Sequence, residues 1–370
     1  MVFCGNAEPK IVNRLAPIAA DSLNSTLSRP ASSLNVSSRP LLNVVTLFID
    51  SVSRAQFHRR LPRTKKVLEA IATAQDSKAD LYEFERYHAV GFNTLPNTRA
   101  LWAGLDEKDG NVTGPPIWEQ YRKAGYVTAR ADPMCQDWEM YYEGARRQGE
   151  VVRAASEAAL DHEYIAPLCF PPTLPVGKHM SGNFAGSTSI KARCVSDTHV
   201  GWHLLDWGSD FIRHYDGKRP FYLNEAFMEG HEGSMEVLRT LDSRLAALLD
   251  PATSPIDFET TVVVLISDHG PLMGLNQAFL RSGAFEVANP MSIMVLPSSL
   301  PEAGKERLRS ATRKLVSAHD MYETMRGFGR VAASSPLGDA GRRGVDLLQE
   351  DLNHRSCDDA GISLIACRCH

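Results

Sequence analysis

Five short apolar runs, interspersed with stretches of helical periodicity, constrain most strongly what this chain can fold into. The first run, residues 41–49, is almost continuous in apolar and β-branched residues, as expected of a strand buried on both faces of a parallel sheet. Strands and helices that alternate along a chain build an α/β domain. The sequence therefore predicts a doubly wound, mostly parallel sheet flanked by helices. The predicted strands are 41–49, 126–129, 220–223, 261–266 and 292–296, and the predicted helices are 64–74, 115–124, 199–214, 234–249 and 305–317.

Three segments lie outside this pattern. Residues 1–40 are polar, contain Ser, Asn and Pro, and lack sustained periodicity, which predicts a flexible N-terminal segment. Residues 133–198 are rich in Pro, Gly and Cys and predict an irregular, Cys-bearing insertion over one edge of the sheet. We expect one α/β domain over 41–350 and a Cys-rich C-terminal tail, 351–370, packed on it.

Charge and hydropathy exclude several classes of partner. Forty Lys and Arg residues against 44 Asp and Glu give a net charge of -4, so no basic excess favours nucleic acid. No apolar run approaches the ~18 residues of a membrane span, and the first residues do not form a basic region followed by an apolar one. We therefore expect neither a nucleic-acid partner nor a transmembrane segment in this chain.

Cysteines and glycosylation sequons bear on the compartment. The seven cysteines form no C-x-x-C pair, which argues against a structural zinc site and favours disulfides. Asn-x-Ser/Thr triplets begin at Asn24, Asn35 and Asn111, although such triplets also arise by chance. Together these features predict a secreted or lumenal glycoprotein whose signal or anchor is not visible in this chain.

Polar residues that follow predicted strands are the first candidates for chemistry. Asp50 directly follows the first strand, and Asp268 and His269 follow the strand 261–266. Ligands of open α/β sheets bind outside the carboxyl ends of the strands, so these side chains could converge on one divalent cation. Carboxylate oxygen and imidazole nitrogen suit zinc, manganese, magnesium or calcium. The alternative is that each Asp only caps the helix that follows.

Thr94 stands at the predicted start of another helix, in Thr94-Leu95-Pro96. Free backbone N–H groups at a helix N-terminus favour an anionic group such as phosphate or sulfate. If a metal lowers the pKa of its hydroxyl, Thr94 could act as a nucleophile. The alternative is a helix cap.

The order of these residues resembles that of the alkaline-phosphatase and sulfatase superfamily, and more closely an uncharacterised sulfatase-like family. The resemblance covers roughly residues 43–369. Its motifs are Ile49-Asp50-Ser51-Val52-Ser53-Arg54, Gly91-Phe92-Asn93-Thr94-Leu95-Pro96-Asn97, Ser267-Asp268-His269-Gly270, and Arg355-Ser356-Cys357 with Cys367-x-Cys369. It implies an alkaline-phosphatase-like fold.

The resemblance also implies roles for single residues. Asp50, Asp268 and His269 match the metal ligands of the superfamily, and Thr94 matches its nucleophile, which also touches the metal. A second metal site in some members uses an Asp and a His of one motif; here His231 is in place, but Phe227 stands at the aspartate position. Glu225 or Glu229 could substitute. His319 resembles part of a structural helix start rather than a ligand.

The nucleophile bears on which ester is cleaved. Superfamily sulfatases oxidise a Cys or Ser to formylglycine, and Thr94 cannot yield that aldehyde. The resemblance therefore implies in-line attack by the Thr94 oxygen on a phosphoryl or related centre, through a covalent phosphothreonine that water hydrolyses. Arg54 and Arg99 are candidates to hold the non-bridging oxygens, because guanidinium suits a bidentate grip. A salt bridge is the alternative role for Arg54.

These observations predict a metal-dependent hydrolase of phosphate or sulfate esters, acting on a small-molecule, glycan or lipid ester. One alternative is a catalytically silent ectodomain that binds glycan or protein. Another is a phosphotransferase that passes the group to an alcohol acceptor.

Overall fold

The computed structural model describes residues 41–106, 115–133, 160–164, 194–195, 198–273, 280–329 and 343–368. The predictions for the segment 1–40, for Asn24, Asn35 and Asn111, and for Cys4, Cys135, Cys169 and Cys369 lie outside these residues, as does most of the insertion 133–198. In the described part of the chain, no helix is long and apolar enough to cross a bilayer.

A seven-stranded mixed sheet forms the centre of the fold. The strand order is β2-β10-β9-β1-β8-β4-β5. Strands β9, β1, β8, β4 and β5 are parallel, and β10 runs antiparallel to both β9 and β2. The strands of the chain are β1 (Asn43–Ile49), β2 (Ala79–Glu83), β3 (Tyr87–His88), β4 (Val127–Ala131), β5 (His162–Tyr164), β6 (Cys194–Val195), β7 (Thr198–His199), β8 (Phe221–Phe227), β9 (Thr261–Ile266), β10 (Ser292–Pro297) and β11 (Val316–Ser317).

Helices flank this sheet, and the predicted fold class is confirmed. The α-helices are α1 (Arg54–Arg60), α2 (Pro62–Thr73), α3 (Thr94–Ala103), α4 (Ile117–Lys123), α5 (Val200–Tyr215), α6 (Asp242–Leu249), α7 (Arg281–Ala288), α8 (Glu302–Ala311) and α9 (Ala318–Phe328). Both faces of the sheet are covered, because alternate residues of the central strand enter different cores. Val44 and Phe48 lie in one core, and Val45 and Leu47 in the other.

Two predicted helices were wrong at their ends. The segment 234–249 is helical only from Leu238, as a 3-10 turn followed by α6, because Met235 has a φ of 59° and the Glu232 carboxylate accepts from the backbone N–H of Ser234 at 2.6 Å. The segment 305–317 is helical only to Ala311, since Val316 and Ser317 pair with β3.

Glu225 is an isolated acid in one of these cores. It lies on β8, is fully buried, and neither carboxyl oxygen makes a hydrogen bond within the described residues. A Cβ on Gly208 of α5 would overlap this carboxyl group, so the helix packs directly on it. Burial, followed by the Asp206 carboxylate, raises the pKa of Glu225 well above its ordinary value. Between its ordinary pKa and this raised pKa, the folded protein therefore holds Glu225 as the neutral acid.

Replacing Glu225 should change how stability depends on pH. The unfolded chain releases this proton near its ordinary pKa, so the wild type loses stability as pH rises toward the raised pKa. We expect Glu225→Met to be more stable than wild type at neutral pH. The difference in the free energy of unfolding should grow by up to about 1.4 kcal/mol for each unit by which the pH rises. Urea unfolding at pH 5, 6, 7 and 8 measures this difference. Asp210→Asn, at a half-buried position of α5, is the control. A difference in the free energy of unfolding between Glu225→Met and wild type that does not change with pH would contradict the prediction.

Candidate metal and nucleophile site

Three side chains that could hold a metal ion meet at the carboxyl ends of two neighbouring strands. Asp50 follows β1, Asp268 and His269 follow β9, and these strands pair in parallel register. One ligand atom from each side chain lies within 4.8 Å of the others, and all three residues are buried. Adjacency of the strands thus joins residues that are 218 positions apart in the sequence.

Two serines beside the ligands fix their positions. Ser51 adopts a φ of 63°, in the left-handed region, which costs a non-glycine residue about 1–3 kcal/mol. In this conformation its backbone N–H donates to Oδ1 of Asp268 at 3.2 Å, and its hydroxyl donates to Oδ1 of Asp50 at 2.8 Å. The Ser267 hydroxyl donates to the His269 carbonyl at 3.0 Å and accepts from the backbone of Val52 at 2.9 Å. Sequence reasoning assigned no role to either serine, although both directly flank ligands.

The hydrogen bond at Nδ1 of His269 indicates the tautomer of its neutral ring. Nδ1 lies 2.7 Å from the carbonyl oxygen of Gly270, which can only accept, so Nδ1 carries the proton of the neutral ring. The lone pair of Nε2 then faces the site. Oγ1 of Thr94 lies 3.2 Å from this Nε2, and Oδ2 of Asp268 lies 3.2 Å from it as well. The proposed nucleophile, Thr94, therefore lies within hydrogen-bonding distance of His269, one of the proposed ligands.

The donor atoms fit a divalent cation. Oδ2 of Asp268 is buried and makes no hydrogen bond within the described residues. Burial, followed by the Asp50 carboxylate, raises the pKa of Asp268 to about 6. Two carboxylates and an imidazole lone pair that crowd a buried point repel one another until a proton or a cation lies between them. Oxygen and nitrogen donors in this set match zinc and harder divalent ions.

The loop before Thr94 is held by a single amide side chain. Oδ1 of Asn97 accepts from the backbone of Val90 at 2.7 Å, and its Nδ2 donates to the carbonyls of Gly91 and Asn93 at 3.0 and 2.7 Å. A Cβ on Gly91 would overlap the ring of Pro96, so only glycine fits there. Thr94 is half-buried in the first turn of α3. This packing explains the local spacing of glycine, proline and asparagine around Thr94.

The remaining candidates are not members of the group formed by Asp50, Asp268 and His269 within the described residues. Arg54 pairs through Nε with the Glu83 carboxylate at 2.7 Å, which is the salt bridge left open by the sequence. Arg99 is buried in α3, five residues after Thr94. His231 follows β8 and, within the described residues, does not join the group of ligand atoms. The roles of Arg54, Arg99 and His231 stay predictions.

Neither acidic residue considered for a second metal joins the group of ligands among the described residues. Glu225 packs on Gly208, and a Cβ on Gly201 would lie 2.7 Å from Oε1 of Glu229, so both acids contact α5. His319 is buried at the start of α9, where a Cβ on Gly361 would lie 2.6 Å from its Cδ2.

The C-terminal segment packs beside the loop that carries Thr94. Arg355 forms a two-point ion pair with the fully buried Asp320 of α9. Cys357 and Cys367 form a disulfide. Beyond Cys357, the backbone N–H of Ser363 donates to the Val90 carbonyl at 3.0 Å. The tail therefore contacts the loop that carries Thr94.

Comparisons with known proteins give the family of the chain and relate its fold to solved structures. The sequence model of the family described as "Protein of unknown function (DUF229)" matches residues 17–370. No curated protein matches the sequence.

Solved structures share the fold at low identity. A protein in the alkaline phosphatase superfamily from Vibrio parahaemolyticus is 14% identical with a TM-score of 0.51, covering 94% of this chain and 80% of its own. The C-terminal periplasmic domain of EcEptC from Escherichia coli, in complex with zinc, is 14% identical with a TM-score of 0.51, covering 87% and 90%. Ps i-CgsB in complex with k-i-k-neocarrahexaose is 14% identical with a TM-score of 0.55, covering 84% and 76%.

Proposed function

From the premise that this chain belongs to the DUF229 family, with the fold of the alkaline-phosphatase superfamily, we propose that it is a metal-dependent hydrolase of phosphate esters. One observation carries the proposal: Oγ1 of Thr94 lies 3.2 Å from Nε2 of His269, within the same buried group as Asp50 and Asp268. A helix cap or a structural salt bridge does not require a hydroxyl, an imidazole and two carboxylates at one point.

The cation would be held by Asp50, Asp268 and His269. A bound divalent cation withdraws electron density from its ligands and lowers the pKa of a neighbouring hydroxyl or water. Zinc is one candidate, since the EcEptC domain was solved with zinc, and manganese, magnesium and calcium are the others. The three side chains present one nitrogen and carboxylate oxygens, which any of these ions accepts.

In the proposed reaction, Thr94 carries out the displacement at phosphorus. The Thr94 oxygen attacks the phosphorus in line as its hydroxyl proton leaves to water, and the bond from phosphorus to the leaving oxygen breaks. The departing alcohol takes a proton from water. A second water then attacks the phosphothreonine, the bond between phosphorus and the Thr94 oxygen breaks, and the hydroxyl is regenerated. Two displacements predict retention of configuration at phosphorus.

Phosphate is favoured over sulfate by the chemistry of Thr94. Its β-carbon carries a methyl group, so oxidation cannot produce the formylglycine aldehyde that superfamily sulfatases use. The first turn of α3, which Thr94 opens, also offers backbone N–H groups to an anionic substrate. We assign the protein to the secreted or lumenal space, in keeping with the disulfide between Cys357 and Cys367.

Metal analysis combined with a substrate panel tests the proposal. We expect the purified protein to carry about one divalent ion per chain and to cleave an aryl phosphate monoester or diester, and Asp268→Ala to lose both properties. Asp210→Ala, which removes an exposed carboxylate of α5, is the matched control and should keep both. A wild type that holds no ion and cleaves no ester would favour the silent binding module instead. Transfer of the phosphoryl group to added alcohols, in place of hydrolysis, would identify a phosphotransferase.

A further inference from the structure

Exposed apolar side chains are concentrated around the candidate site. In the described part of the chain, the large apolar residues that are exposed number seven, and all of them lie in segments that adjoin the site. Phe92 and Leu95 flank Thr94, and Leu364 and Ile365 lie in the tail that contacts the Thr94 loop. The other three are Leu272, Leu280 and Phe285, in and before α7. We call these seven residues the apolar rim.

Hydrogen bonds place the tail against the Thr94 loop. The backbone N–H of Arg368 donates to Nε2 of His88 at 3.1 Å, and its guanidinium lies 5.8 Å from the centre of the Phe92 ring. Ser363, directly before Leu364, is bonded to Val90. The exposed side chains of the tail and of the loop therefore belong to one surface.

A second set of contacts places α7 against the same surface. The backbone N–H of Gly270 donates to the Val287 carbonyl at 2.8 Å, so α7 packs beside the segment that carries His269. Phe285 of α7 and Arg368 of the tail both line one cavity of about 290 Å³. The rim therefore draws its residues from three neighbouring parts of the chain, which are the Thr94 loop, the tail and the segment around α7.

The composition and shape of the rim indicate what it contacts. Exposed apolar area costs roughly 25 cal/mol per Å², and patches of it mark binding surfaces. Five of the seven residues are Leu or Ile, whose branched alkyl groups suit hydrocarbon better than the stacking faces of sugars. Leu364 and Ile365 are 85% and 72% exposed, and they project from a loop closed by the disulfide between Cys357 and Cys367. Apolar side chains that project from a loop insert readily into the hydrocarbon of a lipid bilayer, whereas a pocket for a single ligand needs side chains that surround it.

Cations accompany these apolar side chains. Arg368 lies over Phe92, and Arg281 directly follows Leu280. Apolar side chains with adjacent cations match the boundary between hydrocarbon and anionic headgroups in a lipid bilayer.

We infer that the apolar rim docks on an anionic lipid surface and that the substrate is a phosphate ester of a lipid presented by that surface. The substrate class rests on the proposed function, whereas the docking itself does not. The rim enters the headgroup region, and the ester of a membrane lipid reaches Thr94 without leaving the bilayer.

Vesicle binding and turnover test this inference with one variant. The probe is a vesicle of phosphatidylcholine with one fifth phosphatidic acid, and the variant is Leu364→Ser with Ile365→Ser. We expect wild type to float with the vesicles. The affinity of the variant for the vesicles should be lower by on the order of tenfold or more, because two exposed apolar side chains no longer enter the bilayer. The ratio of phosphate release from vesicles to release from a soluble aryl phosphate should fall by a similar factor.

The controls separate the possible failures. Arg213 lies near the C-terminal end of α5, before the start of β8 and away from the carboxyl ends of the strands. The control variant Arg213→Ser should therefore match wild type in both assays. Wild type that does not float, or a double variant that floats equally well, overturns the inference. Flotation without cleavage of any ester would reject the proposed function and keep the docking surface. A dimer that depends on Leu364 and Ile365, with no vesicle binding, would show instead that the rim joins two copies of the chain.

Discussion

Thr94→Ala should lower phosphate-ester turnover by on the order of 10³-fold or more, because it removes the only oxygen that could form the covalent intermediate we propose. The metal content should stay close to that of wild type, since Asp50, Asp268 and His269 remain in place. Turnover of an aryl phosphate, with elemental analysis of the same samples, measures both quantities. Residual activity would reflect direct attack by water in the same site.

Thr94→Ser is the matched control for this prediction. It keeps the hydroxyl that lies 3.2 Å from Nε2 of His269 and removes only a methyl group. We expect it to retain turnover within about tenfold of wild type. If Thr94→Ala and wild type cleaved the ester at equal rates, Thr94 would be a helix cap and the nucleophile would lie elsewhere.

Arg355→Ala should destabilise the fold by about 3–5 kcal/mol, because it leaves a buried carboxylate without its cation. Asp320 is fully buried, and Nη1 of Arg355 donates to its Oδ1 at 3.0 Å while Nη2 donates to Oδ2. The backbone N–H groups of Ser317 and Val345 also donate to Asp320, at 2.8 and 3.0 Å, but carry no net charge. Urea unfolding at neutral pH measures the loss.

Two further variants show whether the buried charge causes this loss. Arg309→Ala removes an arginine whose partners Glu302 and Glu306 are exposed, and we expect little change. Combining Arg355→Ala with Asp320→Asn should recover part of the lost stability, since the unpaired charge is gone. An effect of Arg355→Ala no greater than that of Arg309→Ala would contradict this account.

Long apolar runs predicted the centre of the fold, because strands buried on both faces carry an unbroken signal. The strand Thr261–Ile266 lies where its Val-rich run predicts, and Asn43–Ile49 within its longer run. The strand Ala79–Glu83 was missed because its residues ADLYE mix charged and apolar side chains, as suits a sheet edge. Helix ends were wrong where a side chain bonds the backbone, as Glu232 does to Ser234.

The meeting of Asp50, Asp268 and His269 could be predicted because the carboxyl ends of adjacent parallel strands share one edge of the sheet. The hydrogen bonds that position these side chains could not be predicted from the sequence. The left-handed turn at Ser51 depends on hydrogen bonds to Asp50 and Asp268 that no local pattern reveals. The partner of Arg54 depends in the same way on the position of β2, which the sequence did not show.

The contacts of the tail have a consequence for protein synthesis. Residues 355–368 bind Asp320, Val90 and His88, and so complete the support of the loop that precedes Thr94. A nascent chain that has left the ribosome only as far as α9 holds every proposed ligand and the nucleophile, yet lacks this support. Activity should therefore arise only after translation has passed residue 368, when the tail can contact the loop that carries Thr94.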